Sequence, residues 1–163
     1  MLTIDDGQRF FNYRIAGVAI HNGKVLVHRG PGDDFWTLPG GRAEMGETAA
    51  ETLQREMIEE LNTTVEVGEP LWFVENFFEY NNRSFHELGL YFSMTFPPDS
   101  PLLELEEGEF QDEIGVRLIF RWQPIEALAQ IAIAPTCIAE RLPAVGLGFQ
   151  HIVHRDDASA TRG

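Results

Sequence analysis

Glu56, Glu59 and Glu60 crowd into five consecutive positions of a 163-residue chain. Three carboxylates spaced this way can hold a divalent cation, provided the segment is helical. It reads as a helix. Thr48-Ala49-Ala50-Glu51 has the form of a capping box, and Ala50, Leu53, Met57 and Leu61 recur as one apolar stripe. Asn62 fits a left-handed C-cap. At helical pitch the three glutamates fall within an arc of roughly 100°. That arc borders the apolar stripe, so the carboxylates belong to the edge of the core. They also occupy the last turns, where the helix dipole disfavours negative charge, and each like-charge pair costs about 0.2–0.5 kcal/mol. A bound Mg²⁺, which takes oxygen ligands in near-octahedral geometry, would offset both penalties. On these residues alone, a solvated acidic face remains the competing reading.

The surroundings of the glutamates add a longer pattern. Gly41, five residues, Glu47, seven residues, Arg55-Glu56, two residues and Glu59-Glu60 resembles the Nudix box at every charged position. Trp36-Thr37-Leu38-Pro39-Gly40-Gly41 looks like the family's usual lead-in. Phe120-Arg121-Trp122 followed by Ile125 to Leu128 resembles a common C-terminal segment. Two positions depart from the family pattern, Asn62 for a glycine and Thr63 for an aliphatic residue. Both lie in the turn leaving the helix, and Asn tolerates the left-handed conformation.

The resemblance implies an α/β/α sandwich around a mixed sheet, with the box helix on one face. It further implies that Glu56, Glu59 and Glu60 ligate metal together with the backbone carbonyl of Gly40. Arg55 and Glu47 would form a supporting salt bridge. The implied activity is metal-dependent pyrophosphohydrolysis, in which water attacks phosphorus in a nucleoside triphosphate, sugar nucleotide or dinucleoside polyphosphate. Mg²⁺ is the expected cofactor, with Mn²⁺ as a substitute. Bound metal neutralises the anionic phosphates and lowers the pKa of water. The alternative is a nucleotide-sensing regulatory domain without turnover, whose usual mark would be a broken box.

Other candidates are more local. For the base that takes the water proton, the acidic stretch Leu103 to Glu113 offers Glu113, with Glu87 second because Phe85, Glu87, Gly89 and Tyr91 alternate on one strand face. Arg29 ends a strand just before the loop to the box, where its forked donors could meet phosphate; a surface strand-end charge is the plainer reading. Tyr80 lies 17 residues past Thr63, a spacing resembling that of dinucleoside polyphosphate hydrolases. A hairpin-tip residue explains it more simply. The proline that marks many ADP-ribose pyrophosphatases would fall near Phe78 and is missing. With 12 Phe in the chain, most of Phe35, Phe77 and Phe78 and their like must be core rather than base-stacking. His28 and His86 read as strand residues. Cys137, in the apolar run Ile131 to Ile138, reads as packing.

These groups need strands and turns to position them. Arg14–Ile20 and Lys24–His28 flank Asn22-Gly23, a strong hairpin signal. Val65–Phe78 and Ser84–Phe96 form a second hairpin about Tyr80 to Arg83. Leu103 to Glu113 reads as an acidic loop, and Val116–Trp122 and Phe149–Val153 as strands. Pro124–Ala129 and Pro135–Leu142 read as short helices. Residues 1–154 are expected to make one domain and 155–163 a frayed polar tail.

Bulk properties narrow the partners. The net charge is -14, from 26 acidic residues against 12 Lys and Arg, which disfavours binding to long polyanions such as DNA or RNA. No apolar run approaches membrane-spanning length, and a single cysteine with no secretory pattern fits the cytoplasm. A small nucleotide is the expected partner. A homodimer is compatible with the sequence, although no residue argues for it.

Overall fold

The computed structural model describes residues 1–156. A short β1 (Thr3–Asp5) pairs antiparallel with β2 (Arg9–Val18). Beyond Ala19 the chain enters β3 (Ile20–His21), which pairs with β4 (Lys24–Arg29) in a second sheet. The expected hairpin is present, with Asn22 and Gly23 at φ of 50° and 74°. The run Arg14–Ile20, however, is split between two sheets. Ala16, Val18 and Ala19 are all buried, because the chain here passes between two cores instead of along one.

Next come β5 (Gly40–Arg42), α1 (Ala49–Leu61), β6 (Glu66–Tyr80) and β7 (Arg83–Thr95). The last two form the long expected hairpin, turned by Asn81 and Asn82 at positive φ. The acidic stretch differs from its expected form. After a 3-10 turn at Pro101–Glu104 it contains β8 (Glu107–Gln111), which pairs with β9 (Arg117–Pro124). Glu107 and Glu109 there form ion pairs with Arg121 and Arg117, so charge that suggested a solvated loop is matched across strands. The two expected short helices appear as a 3-10 segment, Ile125–Gln130, and as α2 (Cys137–Arg141). Finally β10 (Gln150–Arg155) closes one sheet. The tail expected from Arg155 therefore starts within a strand, and its residues 157–163 lie outside the described residues.

One sheet is mixed, in the order β1-β2-β7-β6-β10 with β5 also on β2; β2 runs parallel to β7, and β10 to β6. The other is antiparallel, β3-β4-β9-β8. Alternation along β2 sends Ala16 into one core and Ile15 into another. The first core joins the two sheets to the C-terminal segment through Val27, Trp72, Tyr91, Ile138 and Leu142. The second seats α1, whose Leu53 and Met57 are fully buried against Ile15, Val65, Met94 and Phe120. Helices thus lie on both sides of a mixed sheet, as the α/β/α expectation required. Cys137 packs at the margin of the first core, and burial pushes its thiol pKa up.

Candidate active site

α1 starts and stops where its sequence dictates. Thr48 accepts from the Glu51 backbone N–H, and Glu51 reaches back to the Thr48 N–H. Such a cap is worth about 1 kcal/mol. At the other end Asn62 takes the left-handed conformation, with φ 50° and ψ 41°. Asn therefore supplies here what a glycine would.

Between the caps, the box is organised around Arg55. Its Nε and Nη2 donate to the two oxygens of Glu47 at 2.7 and 3.1 Å, a fork that fixes the guanidinium plane. Nη2 also donates to the Arg42 carbonyl, and Nη1 to Glu56 at 2.9 Å and to Glu59 at 3.2 Å. Glu47 additionally accepts from the Glu44 N–H and the Thr52 hydroxyl. The Arg55 hydrogen bonds, with these two in support, hold the Glu47 carboxyl down at a pKa of about 2.

The remaining glutamates sit in a different environment. Glu56 lies over Gly41, so that a Cβ there would overlap its carboxyl group; one at Gly40 would strike the Ile15 carbonyl. Both glycines are required for close approach. Burial raises the Glu56 pKa against the pull of Arg55. Glu60 is more enclosed, and burial, then the neighbouring Glu56, pushes its carboxyl up to about 8. One oxygen, Oε2, has no hydrogen-bond partner and faces His28 Nδ1 at 3.8 Å, itself without one. Burial, then the charge of Arg14, lowers His28 to about 3, so its ring is neutral.

Among the described residues, no three His, Cys, Asp or Glu side chains converge into a ready-made metal cage. Arg55 instead occupies the space between Glu56 and Glu59, and Glu59 is half-exposed. The donor set nonetheless fits a hard divalent cation. It consists of carboxylate oxygens, two of the groups half-buried, and one oxygen, Glu60 Oε2, buried without a partner. A cation would supply the charge that burial withholds.

Beside the box opens a cleft of about 440 Å³. Arg14 and Arg42, direct partners across β2 and β5, line it. Arg14 donates to the Leu38 carbonyl at 2.6 Å, and its charge reaches Glu56, Glu60 and His28. Phe35, Phe78, Tyr80 and Phe85 supply aromatic walls, and Asn12, Asn76 and Glu87 a polar floor.

The expected residues are distributed unevenly around this centre. Tyr80 lines the cleft, its hydroxyl donating to Asp33 at 3.3 Å. Glu87 is buried in the cleft and accepts from Asn12. Arg29 donates to the carbonyls of Gly30, Pro31 and Asp33 and lies over Trp36, so it shapes the loop leading to the box. Glu113 lies in the exposed turn between β8 and β9, without a side-chain hydrogen bond among the described residues. Sequence reasoning missed Arg14 and Arg42, and it read His28 as a strand residue without the Glu60 that faces it. A clue was available for Arg14, which stands on the same strand face as the buried Ala16.

The pattern of the NUDIX domain matches residues 12–142. The fold is similar to a mutator MutT protein from Bacillus halodurans, at 18% identity and a TM-score of 0.59, covering 90% of this chain and 92% of that one. It is also similar to a NUDIX hydrolase from Nitrosomonas europaea, at 19% identity and 0.58, covering 89% and 79%. An ADP-ribose pyrophosphatase from Streptococcus suis matches at 12% identity and 0.51, covering 88% and 98%. No curated protein matches the chain. With the domain pattern spanning most of its length and the box intact from Gly41 to Glu60, this chain belongs to the Nudix family of hydrolases.

Proposed function

We propose that this protein is a Mg²⁺-dependent pyrophosphohydrolase that cleaves a phosphoanhydride bond of a nucleoside di- or triphosphate derivative. The observation that carries this reading is the junction of two half-buried carboxylates, Glu56 and Glu60, with an arginine-lined cleft of nucleotide size.

Glu56, Glu60 and the more exposed Glu59 would hold the cation, with the Gly40 carbonyl as a further oxygen donor. When bound, the metal supplies charge neutralisation of the phosphates and acidification of water. Arg55, anchored on Glu47, orients Glu56 and Glu59 through its Nη1 donors. Arg14 and Arg42 meet the phosphates with forked donors, which also draws an anion toward a chain of net charge -14. The aromatic walls exclude water from the nucleoside end. For the proton of the attacking water, Glu113 would serve only if the β8–β9 turn approached the box. Glu87 lies on the polar floor of the cleft, where it accepts from Asn12.

The test is hydrolysis of a panel of nucleoside triphosphates, sugar nucleotides, ADP-ribose and dinucleoside polyphosphates with Mg²⁺, repeated with EDTA. Turnover abolished by EDTA and restored by Mg²⁺ is expected. Nucleotide binding without turnover of any panel member would favour the sensing role instead.

A further inference from the structure

Asn12, Glu87 and Asn76 are direct cross-strand partners on β2, β7 and β6, forming one row across the sheet. All three are buried, at 2%, 8% and 5% exposure, and all three line the cleft. The Asn12 amide donates through Nδ2 to Glu87 Oε2 at 3.0 Å, which leaves its carbonyl oxygen over. Neither Asn12 Oδ1 nor Asn76 Oδ1 has a hydrogen-bond partner among the described residues. A buried acceptor left unpaired is costly, and two of them stand in this row. A ligand bearing N–H donors would relieve them.

The residues around the row define where such a ligand lies. Gly89 follows Glu87 on the same strand face, between Arg14 and Val74, and the ring of Tyr91, which also lines the cleft, lies over it. Phe78 and Tyr80 wall one side of the cleft, while Arg14 and Arg42 also line it. A planar heterocycle set against the row would therefore keep its attached phosphates within reach of the arginines.

We infer that the Asn12-Glu87-Asn76 row selects a guanine ring, which deepens, and rests on, the nucleotide pyrophosphohydrolase reading. Guanine presents N1–H and both N2–H protons along one edge. A carboxylate can take N1–H and one N2–H side by side, and an amide oxygen can take the other. Adenine and cytosine place a ring nitrogen acceptor beside their amino group, which faces a carboxylate with repulsion. Uracil offers a single N–H between two carbonyls. Selection works through rejection, because a wrong base leaves the buried acceptors unpaired.

The experiment is calorimetric titration of the full chain with GMP, IMP and AMP, none of which has an anhydride bond to cleave. IMP differs from GMP only in lacking the 2-amino group. GMP is expected to bind roughly tenfold or more tighter than IMP and AMP, the scale of a hydrogen bond to a charged group. Glu87→Gln should bring GMP to within about threefold of IMP, since a carboxamide offers one acceptor where two are needed. Equal binding of the three nucleotides by the unaltered protein, or no binding of GMP, overturns the inference whether or not the variant folds. A GMP preference in a protein that hydrolyses no nucleotide supports the base assignment while removing the pyrophosphohydrolase reading. Hydrolysis without guanine preference does the reverse.

Discussion

The carboxyl group of Glu56 rests on the Cα of Gly41, so closely that no side chain fits between them. The glycine that opens the box and the first glutamate of its Arg-Glu pair are thus one contact, made between β5 and α1. Gly41→Ala should push Glu56 out of position while leaving the caps and apolar stripe of α1 intact. Turnover is expected to fall about a hundredfold, the usual cost of an ångström-scale misplacement. Circular dichroism should stay unchanged, and turnover within a few-fold of the parent would show that Glu56 is not held for chemistry.

Arg55 has no adequate replacement in lysine. Its fork on Glu47 and its reach to Glu56, Glu59 and the Arg42 carbonyl need the planar guanidinium. Arg55→Lys should cost about 1.5–3 kcal/mol of stability, the value of charge-assisted bonds lost in a half-buried network. Thermal denaturation gives the stability loss, and kinetics should show lower kcat at little-changed KM.

Stability should depend on pH in two opposed ways when no divalent cation is present. Glu60 keeps its proton up to about 8 in the folded chain, against an ordinary value of 4.5. Between these values the folded state binds a proton that the unfolded state has lost, so stability falls as pH rises through this window. Glu47, held at about 2, works oppositely: its contribution is present above 4.5 and is lost as pH falls toward 2. Denaturant titrations across pH should show both slopes. Mg²⁺ should stabilise the protein more at pH 8 than at pH 6, because the cation competes with the Glu60 proton.

Tyr80 offers two separable contributions, a ring in the cleft wall and a hydroxyl on Asp33. Tyr80→Phe removes only the second and should leave KM within about threefold, as fits a single exposed hydrogen bond. Tyr80→Ala removes the ring and should raise KM about tenfold, the scale of one aromatic contact. Steady-state kinetics on the preferred nucleotide distinguishes the two.

The box was legible in the sequence because its physics is local. Capping box, apolar stripe and C-cap all lie within one helix, and α1 begins and ends where those residues place it. The cleft was not legible, since it is made by register between distant strands. Asn12, Glu87 and Asn76 become a row only once β2, β7 and β6 align, and no spacing along the chain announces that. His28 looked like strand packing, which it is; what makes it notable is Glu60 beside it, 32 positions later in the chain. The acidic stretch misled for the same reason, because the arginines that pair Glu107 and Glu109 stand on another strand.

The most direct test of metal-dependent hydrolysis at these carboxylates is Mg²⁺-dependent turnover by Glu60→Gln. The substitution keeps the shape and removes only the charge that a cation would need. Turnover is expected to fall about a hundredfold or more, on the scale of losing one strong electrostatic contact in a water-poor site. Cation-free stability at pH 8 should hold or rise, because a buried carboxylate has been relieved. Turnover within about threefold of the parent, on that same scale of effects, would contradict the assignment of Glu60 to the metal site.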